Sequence, residues 1–256
     1  MTTPDADAGR GGLGGRVALV TGGGSGLGRD LALGLADAGA AVAVVGPSGH
    51  EAAVAQTIET AGGRSVAVEA SLAGPRVADA AFAAAAQALG PLDVVVHALV
   101  VPGSYDLVPL AETDGAGWDA RCDAVLRAAL ACATATRRHL GDRGGRFLVV
   151  TPTVTLTGAA GLVPVVTALE GLRALAKSAA RQWGRVGITV NCLAPPLALV
   201  APDSVAADPG VEEPALGRIP DGRADVAPVV ALLAGDAARF VTGATIAVDG
   251  GVVMTP

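Results

Sequence analysis

A phenol held beside an ammonium group makes a proton donor, because the cation favours the phenolate and lowers a pKa that is otherwise about 10. This chain of 256 residues has one tyrosine, Tyr105, and one lysine, Lys177, too far apart in sequence to share neighbouring turns of a helix. Other groups could handle a proton or polarise a carbonyl. His97 ends one apolar run, and Thr151, Thr153, Thr155 and Thr157 follow another. A histidine in such a place can be an acid or base near neutral pH, but one among valines reads first as a hydrogen-bonded core residue. Tyr105 reads as a half-buried loop residue ahead of a surrogate acid, and the threonines as structural ahead of catalytic. Cys122, Cys132 and Cys192 show no metal-ligand spacing, and their odd number argues against a disulfide framework. They read as small buried residues.

The clearest chemical signal forms no bonds itself. Thr21-Gly22-Gly23-Gly24-Ser25-Gly26-Leu27-Gly28 lies between a strand-like run and a helix-like run. Gly22 lets the backbone turn tightly, Gly26 lets it approach a phosphate, and Gly28 lets the helix pack close to the sheet. The helix start beyond offers free N–H groups and the positive end of a dipole to an anion. Gly22, Ser25, Gly26, Leu27 and Gly28 are therefore candidate cofactor-binding residues. The alternative is that the glycines serve only the turn and its packing.

These residues need a frame, and the hydrophobic pattern supplies one. Apolar runs at 17–21, 41–45, 65–69, 93–96, 146–150, 188–193 and 245–248 predict strands. Helical spacing predicts helices over 27–38, 51–61, 76–89, 118–140, 162–183 and 225–234, the last starting near 221–223. The alternation predicts an α/β fold, a single doubly wound (Rossmann-type) parallel sheet with helices on both faces, over residues 16–256. Residues 1–15 read as a flexible polar tail. Residues 198–222, rich in Pro, Asp, Gly and Ala, read as the least regular internal segment.

Half the chain is hydrophobic (51%) and 16% is charged, which excludes a disordered protein. A net charge of −6 argues against nucleic-acid binding through phosphate neutralisation. The first residues hold no apolar signal segment, and no run approaches the roughly 18 apolar residues of a membrane span. The expectation is a soluble, cytoplasmic protein without nucleic-acid or membrane partners.

The spacing Thr-Gly-x-x-x-Gly-x-Gly at 21–28 resembles the short-chain dehydrogenase/reductase family. So do Leu92-Asp93-Val94-Val95-Val96, Trp118-Asp119, Gly187-Ile188-Thr189-Val190-Asn191-Cys192-Leu193-Ala194-Pro195, and Phe240-Val241-Thr242-Gly243 followed by Asp249-Gly250-Gly251. The resemblance implies NAD(P) as cofactor, Glu69 as an acid contacting adenine, residues 198–222 as a substrate lid, and assembly into tetramers. In the resembled mechanism tyrosine protonates the carbonyl oxygen as hydride arrives, lysine lowers the phenol's pKa, and serine polarises the carbonyl.

The departures fall on that machinery. The positions resembling the catalytic asparagine, serine, tyrosine and lysine hold Val125, Pro152, Val165 and Leu169. The Asn-Asn-Ala-Gly loop is replaced by His97-Ala98-Leu99-Val100, and the glycine after Pro195 by Pro196. Gly46 and Pro47 stand where an acid would hold a ribose or an arginine a 2′-phosphate. No residue is therefore assigned as catalytic, and cofactor binding is expected to be weak or lost. The leading expectation is a catalytically inactive subunit assembling with itself or with an active family paralogue. Its assembly surfaces are expected at Ala128-Ala129-Leu130-Ala131, at Leu172, Leu175 and Ala179, and along the last strand. The alternatives are an NAD(P)-dependent oxidoreductase acting on a carbonyl or alcohol with non-standard catalytic residues, and a nucleotide- or ligand-sensing module.

Overall fold

Strands buried on both faces need mainly apolar residues, and that is how β1 (Val17–Thr21), β2 (Ala41–Gly46), β4 (Val94–His97), β5 (Gly145–Val150) and β6 (Ile188–Ala194) are built: every position is buried. The computed structural model describes residues 12–205 and 214–254. With β3 (Ser65–Glu69) and β7 (Thr245–Ala247) the strands form one parallel sheet in the order β3-β2-β1-β4-β5-β6-β7. The helices in chain order are α1 (Gly26–Asp37), α2 (Glu51–Thr60), α3 (Pro75–Leu89), α4 (Gly115–Trp118), α5 (Ala124–Leu140), α6 (Val154–Thr157), α7 (Val163–Trp183), α8 (Leu197–Val200), α9 (Pro202–Val205) and α10 (Ala227–Ala234). The doubly wound sheet expected from the sequence is what forms.

Alternate strand residues feed two cores. Val17 and Leu19 face one core, with Phe82 of α3, Cys132 of α5 and Leu172 of α7. Ala18 and Val20 face the other, with Leu31 and Leu35 of α1, Ile58 of α2 and Val230 of α10. The long helix expected over 118–140 is α4 and α5 joined by a π-helical turn, Asp119–Asp123. A second such turn, Gly222–Val226, leads into α10, and the Asp221 carboxylate accepts from the Arg223 and Ala224 amides at its start.

Strand order reverses between β1 and β4, so the chain leaves these neighbours in opposite directions and a crevice opens above them. Gly22 sits at that exit with φ +73°, and a Cβ there would lie 2.6 Å from the Ala98 carbonyl oxygen. A Cβ on Gly28 would lie 2.1 Å from the Gly22 carbonyl oxygen, so α1 reaches the turn only because that side chain is absent.

Two boundaries differ from the sequence expectation. Of the tail at 1–15, residues 1–11 lie outside the described residues, but Leu13 is fully buried and its amide donates to Ala38 O at the end of α1. The segment at 198–222 is not irregular at its start, because α8 and α9 occupy it. Pro196 precedes α8 and Pro202 opens α9, positions where a fixed φ and a missing N–H suit the first turn. Residues 206–213 of the expected lid lie outside the described residues.

If Leu13 is part of the core, Leu13→Ala costs about 2–5 kcal/mol of stability, the range for a buried leucine. Urea unfolding followed by circular dichroism measures it, and a loss under about 0.5 kcal/mol would show a segment that contributes nothing to the fold.

Candidate cofactor site

The crevice above β1 and β4 holds a cleft of about 340 Å³. Gly22, Ser25, Gly26, Leu27 and Gly28 form one wall, so the five residues expected from the glycine turn do come together. Ser25 is the N-cap of α1, yet its side chain makes no capping bond and the first turn carries no acid. The free amides of that turn thus have no side-chain anion of their own, and their geometry fits a phosphate. Glu69 ends β3 opposite Gly46, exposed and outside the cleft lining.

The opposite wall is apolar. Ala98, Leu99, Val100 and Pro102 from the segment after β4, and Val150 of β5, line it. Behind it, Val125, Val165 and Leu169 are buried members of the core formed with Phe147 and Val149, and Pro152 is buried after β5. The positions resembling the catalytic set are therefore buried, and their side chains have no proton to donate.

Most of the residues weighed as substitutes are buried. His97 is 4% exposed, and its Nδ1 lies 2.8 Å from Thr21 Oγ1. Burial pushes its imidazole down to about 4, so it is neutral near pH 7. The expected hydrogen-bonded core histidine is what the fold contains. Tyr105 is buried rather than half-buried, and burial pushes its phenol well above the usual range. The depth has a source distant in sequence: α9 lies over this segment, and Ser204 Oγ donates to the Tyr105 carbonyl at 2.6 Å. Lys177 is exposed, two turns beyond Leu169 on α7. Thr151, Thr153 and Thr155 are buried, while the exposed Thr157 donates to the Gly158 carbonyl. Burial raises the thiols, Cys132 to about 12 and Cys192 to about 11, as expected of inert core cysteines.

One site residue escaped the sequence reading. Glu51, in the first turn of α2, is 2% exposed and lines the cleft. Its Oε1 accepts from the Ser48 amide at 3.0 Å and the Ser48 hydroxyl at 2.7 Å. Burial acts to raise its carboxyl, but the Ser48 hydroxyl and neighbouring amides outweigh it and hold the group below the usual glutamate range. The signal was present in sequence: Ser48-x-x-Glu51 before an apolar run has capping-box spacing. An acid was sought only at the end of β2, at Gly46 and Pro47.

His97 also carries a pH signature. Its folded pKa near 4 lies below the unfolded value near 6.5, so the unfolded chain binds the proton more tightly. Stability is complete above about pH 6.5 and falls as pH drops towards 4, by ~3 kcal/mol at 1.36 kcal/mol per unit. His97→Asn should flatten the difference between pH 6.5 and pH 5 in denaturant midpoints. Parallel curves for the two proteins would show that His97 is not buried in neutral form.

Comparison with known proteins fits this geometry. The family model for enoyl-(acyl carrier protein) reductase matches residues 22–253. A 3-oxoacyl-(acyl-carrier-protein) reductase of Staphylococcus aureus (strain Mu50 / ATCC 700699) is 34% identical over 246 residues, covering 93% of this chain and 98% of its own. A hydroxy(phenyl)methylsuccinyl-CoA dehydrogenase subunit, BbsD, of Thauera aromatica is 30% identical over 246 residues, covering 94% and 97%. Among solved structures, a short chain dehydrogenase from Burkholderia cenocepacia J2315 in complex with NADP superposes with a TM-score of 0.82 at 30% identity, covering 94% of this chain and 98% of that one. With a matching family model across most of its length and the glycine turn, sheet order and cleft in place, the chain belongs to the short-chain dehydrogenase/reductase family.

Proposed function

We propose that this chain is a dinucleotide-binding, non-catalytic subunit of an NAD(P)-linked oxidoreductase, assembled with an active family member that supplies the proton-transfer residues. The observation that carries it is the burial of Val125, Pro152, Val165 and Leu169 in the core. A bound nicotinamide would supply hydride chemistry, and a carbonyl partner would then need a proton donor at this wall. Valine and leucine have none, and an apolar wall disfavours both a ribose and a carbonyl dipole. The phosphate side is different. The uncapped first turn of α1 and the Gly22 cradle suit a pyrophosphate, with Ser25, Gly26, Leu27 and Gly28 around it. The NADP complex of the Burkholderia relative supports a dinucleotide there, and the Thauera relative is by name one subunit of a dehydrogenase.

The expected assembly surfaces are only partly exposed on the chain. Ala128, Ala129, Ala131, Leu172 and Ala179 are buried within the chain's own core, because α5 and α7 turn those faces to the sheet. Within the expected surface Leu130 of α5 is 58% exposed, and outside it Phe240, just ahead of β7, is 92% exposed. Contact with a second family member is proposed through these. No helix among the described residues is long and apolar enough to cross a membrane.

A second reading has its own support. The relatives matched along the whole length are named as reductases and dehydrogenases, which favours a chain that reduces or oxidises a carbonyl or alcohol itself with a non-standard acid. Tyr105 is the phenol available for that.

Co-expression with an active family member, followed by copurification and turnover assays, separates the two readings. A non-catalytic subunit copurifies, turnover falls about 10²–10⁴-fold when the partner's catalytic tyrosine is replaced by phenylalanine, and Tyr105→Phe here leaves kcat unchanged. Two separate homo-oligomers would overturn the proposal. Turnover by the isolated chain that is lost in Tyr105→Phe would establish the second reading instead.

A further inference from the structure

The cleft holds one charged side chain among the described residues, Glu51, and only half of its carboxylate is satisfied. Oε1 is held by the Ser48 amide and hydroxyl. Oε2 is buried with no hydrogen-bond partner. A buried acceptor without a donor is costly, and such atoms are normally partnered by water, an ion or a ligand. Two glycines make room for the group. A Cβ on Gly24 would lie 2.5 Å from Oε1, and one on Gly46 would lie 2.6 Å from it. The carboxylate thus stands in the gap between the glycine turn and the end of β2.

The polarity of this gap is specific. In dinucleotide folds an acid in the region past the second strand accepts hydrogen bonds from the adenosine ribose, whereas an arginine there takes a 2′-phosphate. Gly46 and Pro47 offer neither. Glu51 reaches the same gap from the first turn of α2, because helical side chains lean towards the N-terminus. Its free oxygen is an acceptor for a hydroxyl, and its charge opposes a phosphate at the same place. Among the described residues no arginine or lysine lines the cleft.

We propose that Glu51 is the specificity-determining residue of this cleft: its Oε2 receives a ribose hydroxyl of an unphosphorylated adenosine nucleotide, and its charge rejects a 2′-phosphate. The assignment rests on the dinucleotide-binding reading above and goes further, in naming NAD-type ligands over NADP-type ligands. Ser48 is a positioning residue, because it orients the carboxylate and keeps it ionised.

The test uses the full chain and two fragments, adenosine 5′-monophosphate and adenosine 2′,5′-bisphosphate, with NADH and NADPH beside them, titrated by calorimetry. The wild-type protein should bind the 5′-monophosphate and NADH at least ten-fold more tightly than their 2′-phosphorylated counterparts. Glu51→Gln keeps an oxygen for Ser48 and removes the charge, so it should reduce that ratio to about three-fold or less while 5′-monophosphate affinity changes little. A purely structural capping role would lower all four affinities together and leave the ratio intact. Should Glu51→Gln fail to fold, the wild-type fragment ratio decides alone. Equal binding of the two fragments, or a ratio unchanged in Glu51→Gln, overturns the assignment while leaving dinucleotide binding standing. No binding of any of the four overturns both.

Discussion

The closest constraint in this structure is the approach of two backbones. The turn after β1 passes so near the peptide of Ala98 that position 22 has no space for a Cβ, and α1 in turn lies so near the turn that position 28 has none. These contacts set where α1 begins, where the segment after β4 leaves the sheet, and how wide the crevice between them is. They are packing requirements of a parallel sheet at the point where its winding reverses, independent of any ligand. The turn alone therefore says little about chemistry. More informative is what the turn leaves unused: a helix start that its own N-cap serine does not cap, facing a cleft.

The wall opposite is continuous with the core. Val125, Val165 and Leu169 extend the apolar cluster of α5, α7 and the sheet right up to the strand ends. In a packed interior each such side chain contributes by excluding water and filling volume, both of which oppose a functioning acid. The change is collective. A tyrosine returned to position 165 alone would meet Leu169 where its cation should stand, and would be a buried phenol with a raised pKa, as Tyr105 already is. Catalytic groups act as a unit, so a single substitution at one of these positions would not assemble a proton donor there.

The strands were legible because burial on both faces leaves mainly apolar runs, as at Ala41–Gly46 and at 94–96 ahead of His97. The fate of His97 was legible for the same reason. Three things were not. The alanines of α5 are small and apolar whether they face a sheet or a partner, so their inward orientation had to be seen. Tyr105 owes its depth to α9, nearly a hundred residues on, and local sequence carries no trace of that cover. Glu51 was hidden by an assumption about chain position. An acid can occupy the gap beside β2 from the end of that strand or from the helix after it, and side-chain reach makes the two equivalent in space though not in sequence.

The cleft is thus polarised along its length, with glycine amides and a carboxylate at one end and Leu99, Val100 and Val150 at the other. A nucleotide gripped by the polar end would have its affinity concentrated in the phosphates and the adenosine ribose, far from any atom that reacts. Binding of that kind is uniform: it stabilises a ground state and a transition state equally, and contributes nothing to the rate of a chemical step. Rate would require contacts that strengthen as charge develops on a substrate oxygen, and those contacts would have to come from the end where this chain presents only methyl groups and methylenes. The same arrangement is well suited to reporting or stabilising: a ligand that binds the folded chain and not the unfolded one shifts the folding equilibrium by its own mass action, with or without turnover.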